Sequence, residues 1–232
     1  MNITSVTFVV PCEGVDNIPV TVYSPDTTMP LPLMLIQHGP EYRDRAGIIG
    51  YWQERIDSGL PLCRIALMHP TNPDRDAWLT APDAFEYAVV MRVLPAIRRR
   101  FATIGKVVLV GGSIGALMAL SCAVHFPKAF GGLFLQSGSF FCPMGGDDAS
   151  YYPQIQEMVA RLHNIVGARH HLHIGMTCGA EPNLANNRLM HDALEAQGHK
   201  VFMVPVGTTH DYESWGKCLH PYLTVLARTC WA

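Results

Sequence analysis

Charge is scarce in this chain. Lys, Arg, Asp and Glu make up 16% of its 232 residues and sum to a formal net charge of −2. Long basic runs are absent. Arg98, Arg99 and Arg100 form the one tight cluster, at the end of a predicted helix, where the negative end of the dipole favours cations anyway. A nucleic-acid partner is therefore not expected. The seven cysteines contain no Cys-x-x-Cys pair, and no cofactor or metal motif is present. His170, His171 and His173 look like a metal tract but lead straight into the apolar IGMTC, so the expectation is no metal and no cofactor. The opening MNITSVTFVVPCEG lacks the basic start and long apolar core of a secretory signal. With an odd cysteine count, this predicts a reduced, cytoplasmic setting.

What is present is apolar. About half the residues are hydrophobic (49%), enough to bury a sizeable core, and the length suits one domain over residues 1–232. No repeat or linker interrupts it. Val107–Phe126, VVLVGGSIGALMALSCAVHF, carries no Lys, Arg, Asp or Glu and is long enough to cross a membrane. It breaks at Gly111-Gly112-Ser113, between a β-branched run and an Ala/Leu/Met-rich one. A buried strand turning into a buried helix explains both halves better, so no membrane association is expected; homo-oligomerisation is left open.

The periodicity predicts two N-terminal strands, Ser5–Val10 and Pro19–Tyr23, and then strands alternating with helices. The strands are Leu33–Gln37, Arg64–His69, Lys106–Val110, Gly132–Gln136, Leu172–Thr177 and Val201–Val206. The helices are Ile49–Asp57, Asp83–Phe101 (with Pro95 able to bend it), Ile114–Phe126, Tyr152–Val166, Leu184–Gln197 and Tyr212–Ala227. Such alternation predicts an α/β fold: three layers, with a mostly parallel central sheet between helices. Active sites in such sheets lie beyond the carboxyl ends of the strands, which selects His38-Gly39, Ser113, Ser137, Glu181 and His210.

Gly111-Gly112-Ser113-Ile114-Gly115 fits the nucleophile elbow G-x-S-x-G, and here it stands between VVLV and ALMALSCAV, the required strand-to-helix context. The turn exposes Oγ at a helix N-terminus, where developing negative charge is favoured. A serine hydroxyl needs an adjacent base. Among eleven histidines, His210 follows the last strand and completes the order nucleophile, acid, base; His220, inside the final helix, is a weaker rival. The acid should orient the imidazole. Glu181 occupies the expected slot after Leu172–Thr177, Asp147 and Asp148 are alternatives, and Asp211 is too near His210 in the chain to touch its ring. The Ile114 amide is one expected oxyanion donor.

These residues also carry a family resemblance. LIQHGPEYR (Leu35–Arg43), Pro73-Asp74-Arg75, LVGGSIGALMAL (Leu109–Leu120), FPKAFGGLFLQSGSFF (Phe126–Phe141), GAEPN (Gly179–Asn183) and THDYESW (Thr209–Trp215) together resemble the esterase D / enterochelin esterase-like branch of the α/β-hydrolases. The resemblance implies a Ser113–Glu181–His210 triad acting on a small-molecule ester, a siderophore-type or lactone ester included, by hydrolysis or acyl transfer. It also marks a departure. The residue after His38-Gly39 often supplies the second oxyanion amide, and here it is Pro40, which has no N–H. The expectation passes to the Glu41 amide. Arg75, Tyr42 and Trp215 are the expected substrate-binding residues, with Arg43, Phe140 and Phe141 also near the expected rim. An acyltransferase or thioesterase would use the same triad. A non-catalytic binding protein on the same scaffold is the alternative of another class, disfavoured by the intact Ser113 and His210.

Overall fold

A computed structural model describes residues 2–56, 58, 60–69, 81–142, 153–168, 170–179, 183–207 and 209–231. Arg75, Asp147, Asp148 and Glu181 lie outside the described residues.

Eight strands form one sheet in the order β1-β2-β4-β3-β5-β6-β7-β8. They are β1 (Ile3–Val10), β2 (Ile18–Pro25), β3 (Leu33–Ile36), β4 (Arg64–Met68), β5 (Val107–Gly112), β6 (Phe130–Gln136), β7 (His173–Cys178) and β8 (Lys200–Pro205). β1 pairs antiparallel with β2, and β2 antiparallel with β4; every pairing from β4 to β8 is parallel. The predicted three-layer, mostly parallel α/β fold is the observed one.

The inner strands β3 to β7 are largely apolar on both faces because both are covered. Leu33, Leu35, Leu109, Leu133, Leu135, Ile174 and Met176 point into one core layer. The intervening Met34, Ile36, Val108, Val110 and Phe134 point into the other. This two-residue alternation splits each strand between the layers. One layer packs against α3 (Pro82–Ala88), α4 (Leu94–Arg100), α5 (Ile114–His125), α6 (Pro153–His163) and α7 (Asn183–Ala196). The other packs against α1 (Gly39–Asp44), α2 (Ile48–Ile56), α8 (Tyr212–Lys217) and α9 (Thr224–Cys230). Among the described residues no helix is long and apolar enough to cross a membrane. The seven cysteines remain thiols, with no disulfide among them.

Three local departures from the sequence reading have physical causes. The predicted helix Asp83–Phe101 is continuous but widens into a π-turn at Val89–Val93, where the Leu94 amide reaches back to the Val89 carbonyl. The extra residue accommodates Pro95, whose ring would clash with a regular preceding turn. The predicted helix Tyr212–Ala227 is interrupted: His220 has extended dihedrals (φ −103°, ψ 134°), as a residue before proline prefers. The six-residue α1 was not expected. It starts at Gly39 with Pro40 in its first turn, where a missing N–H removes no helical bond.

Buried Arg64 reaches under the sheet. Its guanidinium donates to the carbonyls of Thr27, Met29 and Ala102 at 2.8–3.2 Å, tying together the chain segments that enter β3 and β5. Glu86, 1% exposed, accepts from Ser121 Oγ and pairs with His125 Nδ1, each at 2.5 Å. That pairing raises the His125 pKa.

Candidate active site

β5 ends at Gly112 and α5 begins at Ile114, leaving Ser113 alone to make the turn at φ 55°, ψ −124°. Such a conformation is strained for any residue with a Cβ, and the surrounding structure enforces it. The Ser113 amide donates to the Gln136 carbonyl of β6 at 2.9 Å. The flanking glycines are demanded by close approach. A Cβ on Gly111 would stand 2.3 Å from the Gly115 carbonyl oxygen, and one on Gly112 would stand 2.5 Å from the Trp215 ring. The turn aims Oγ beyond the strand ends, into a cavity of about 340 Å³ lined by His38, Arg45, Ile114, Tyr212 and Trp215 around Ser113 and His210.

His210 comes from the loop after β8. Its Nε2 lies 3.0 Å from Ser113 Oγ, within hydrogen-bond reach. The ring keeps a solvent-exposed edge and packs edge-on against Trp215, with centroids 5.2 Å apart. Burial of its inner side lowers the pKa below the ordinary histidine value, and the Asp211 carboxylate opposes that shift. The neutral imidazole, with a lone pair available, is thereby favoured.

A buried polar network backs this wall. Trp215 Nε1 donates to Ser137 Oγ at 3.2 Å, and Gln136 Nε2 donates to the Trp215 carbonyl at 3.0 Å. The Tyr42 hydroxyl donates to Gln136 Oε1 at 3.0 Å. Asp211 caps α8: its carboxylate accepts from the Ser214 amide at 2.8 Å and from the Thr209 hydroxyl, which together hold its pKa low.

The structure thus brings Ser113, His210, Ile114 and Trp215 together. The Ile114 amide, the first of α5, has no acceptor within the helix. Trp215 lines the cavity but is 3% exposed, so it braces His210 and offers a substrate little surface. One expectation is corrected. Tyr42 is 0% exposed; α1 turns it inward onto Gln136, away from any substrate. Glu41 lies in the first turn of α1, its carbonyl accepting from Arg45 and Ala46, and its amide stays a proposed second oxyanion donor; from this segment His38 and Arg45 line the cavity. Phe140 is wholly buried, and Arg43 pairs with Asp44 at 2.6 Å.

Sequence reasoning missed Arg45, which pairs with Glu213 at 3.3 Å beside the cavity; its position shortly after β3 was the available signal. It also gave no role to Ser139, whose Oγ lies 3.2 Å from Ser113 Oγ. Among the described residues His191, Asp192 and Glu195 on α7 have metal-ligand spacing, and none of them lines this cavity. A larger cleft, about 470 Å³, opens between α5 and α6 near Leu172 and His199. Those residues precede β7 and β8, so the cleft lies at the opposite strand ends from Ser113.

The correction at Tyr42 is testable. Tyr42→Phe leaves Gln136 Oε1 without its phenolic donor, so it should lower unfolding stability by about 1–3 kcal/mol, measured by denaturant titration. KM should not change; a raised KM at unchanged stability would return Tyr42 to the substrate.

A family model described as putative esterase matches residues 15–224. The chain belongs to this esterase family. It is a hydrolase acting on esters, and solved esterases share its fold. A ferulic acid esterase aligns over 97% of this chain and 98% of its own, with a TM-score of 0.75 at 16% identity. The ferric enterobactin esterase of Salmonella typhimurium aligns over 97% of this chain with a TM-score of 0.82 at 21% identity, and the present esterase spans 58% of its length. An S-formylglutathione hydrolase of Staphylococcus aureus aligns over 97% of each chain with a TM-score of 0.67 at 16% identity. A search of curated proteins gave no match.

Proposed function

We propose that this esterase is a serine hydrolase that cleaves a small-molecule carboxylic ester through a covalent acyl-enzyme on Ser113. The observation that carries the reading is the 3.0 Å approach of His210 Nε2 to the Oγ of a strained strand–helix turn. His210 takes the Ser113 proton as Oγ bonds to the ester carbon, and the carbonyl π electrons move onto oxygen. That oxyanion meets the Ile114 amide at the helix N-terminus. Collapse reforms the carbonyl and expels the alcohol, which takes its proton from His210. Water, deprotonated by the same imidazole, then releases the acid and restores the Ser113 hydroxyl.

Glu181 is the proposed acid, in the segment between β7 and α7, to face His210 Nδ1. Glu181→Gln preserves size and removes the charge that stabilises the imidazolium. Turnover should fall, but by less than in Ser113→Ala; an unchanged rate would remove Glu181 from the triad. Arg75 remains a proposed substrate contact. The seven thiols favour a reducing, cytoplasmic setting.

Activity should require neutral His210. Its lowered pKa means that kcat/KM holds as pH falls through neutrality and drops only at a midpoint below the ordinary histidine value. A midpoint above that value would show that the imidazole is not the group being titrated.

The deciding experiment labels the chain with a fluorophosphonate, maps the modified peptide, and screens esters, lactones and thioesters with products identified by mass spectrometry. Label on Ser113 and an acid released from an ester support the reading. Turnover requiring an alcohol, amine or thiol acceptor would make the protein an acyltransferase. No label and no turnover would leave a binding protein.

A further inference from the structure

Ser113 is tied to a second hydroxyl. Ser139, in the loop after β6, is 1% exposed. Its Oγ lies 3.2 Å from Ser113 Oγ, and its amide donates to the Ser113 carbonyl at 3.1 Å, so the two residues are joined through both side chain and main chain. The loop that carries Ser139 is clamped from α7. Asn187, 0% exposed, accepts from the Gly138 amide at 3.0 Å and donates to the Gly138 carbonyl at 2.9 Å. Asn183 Nδ2 donates to the Ser137 carbonyl at 3.1 Å. Ser137 itself takes the left-handed conformation, φ 47°, with its amide on the Thr177 carbonyl at 2.7 Å. This is rigid support for one small side chain.

Proton counting sets the direction of the serine–serine bond. Ser113 has a single hydroxyl proton, and the proposed reaction requires it to point at His210 Nε2. Ser113 Oγ must then accept from Ser139. We infer that Ser139 is a positioning residue for Ser113: its hydroxyl donates to Ser113 Oγ, holds that oxygen between His210 and the substrate carbonyl, and stabilises negative charge on it as its proton leaves. The inference rests on Ser113 being the nucleophile. Ser139 keeps its own proton throughout; the proton that moves is that of Ser113, and it goes to His210. Ser139 is not part of the cavity wall, so its effect falls on the attack step and not on substrate capture.

The test uses the full chain and a fluorophosphonate, whose reaction reports attack by Oγ alone. The wild type, Ser139→Ala and Ser139→Cys are compared for maximal labelling rate, half-saturating concentration, pH dependence and labelled peptide. Cys keeps the shape of the side chain but donates weakly, so it separates hydrogen bonding from packing. The inference predicts label on Ser113 in all three, with both variants slowed about ten-fold or more. Half-saturation and the pH midpoint should match the wild type. Ser139→Ala at the wild-type rate would overturn it. So would a slow Ala variant beside a wild-type-like Cys variant, which would assign Ser139 to packing. A raised pH midpoint in the variants would mean that the loop had opened and hydrated His210, a structural role that also overturns it. Wild-type label absent, or on a residue other than Ser113, would instead remove the nucleophile assignment, and this inference with it.

Discussion

Ser113→Ala is expected to lower kcat by roughly four to six orders of magnitude, as does His210→Ala, and the double variant should be no worse than either single one. Each residue is inert without the other. The hydroxyl attacks only as its proton leaves, and the imidazole Nε2 meets that hydroxyl, Ser113 Oγ, at 3.0 Å. Whatever rate remains over water would come from the Ile114 amide and from binding. Single-turnover kinetics with a chromogenic ester would check it. Losses that multiply in the double variant would show that the two side chains act independently, and full activity in either single variant would show that the wrong residue had been chosen.

Gly111→Ala should have the next largest effect. Its Cβ would stand 2.3 Å from the Gly115 carbonyl oxygen, 2.5 Å from the Gly115 carbonyl carbon and 2.8 Å from the Ala116 amide nitrogen. All three atoms are backbone in the first turn of α5, so no side chain can swing away to relieve the clash. The first turn must move, and Ser113 moves with it. Overpacking of this kind costs about 1–3 kcal/mol or more, and an error of about 1 Å in a reacting atom can lower the rate about a hundred-fold. Chemical denaturation and labelling of Ser113 below the unfolding temperature measure the two losses separately. Gly50→Ala is the control. Gly50 lies in α2 with nothing within 4 Å of its Cβ position, and there alanine should stabilise by about 0.5–1 kcal/mol. A Gly111→Ala protein with wild-type stability and labelling would mean that the turn is looser than its contacts imply.

The inner strands β3 to β7 could be read from the chain because each is a short apolar run bounded by Gly, Pro or polar residues and buried on both faces. The turn at Ser113 was legible for a related reason: its glycines and the change from β-branched to Ala/Leu-rich sequence are consequences of the close packing seen around it. Tyr42 was misread because α1 was invisible. Six residues containing Gly39 and Pro40 present too little periodicity to suggest a helix, and without the helix the inward direction of Tyr42 cannot be deduced. Ser139 left no signal, since a buried hydroxyl in a Gly-Ser loop resembles ordinary turn chemistry until the loop is seen folded against the Ser113 backbone. The break at His220 was foreshadowed by Pro221 alone.

The sheet order also makes this chemistry a reporter of assembly. The hydroxyl sits on a central strand and the imidazole follows an edge strand, 97 residues later. A nascent chain or fragment ending before β8 can form the turn at Ser113 yet carries no base, and contacts so distant in sequence form late and slowly. Fluorophosphonate reactivity during refolding should therefore lag behind the return of helical signal, timing the docking of β8 rather than collapse of the core.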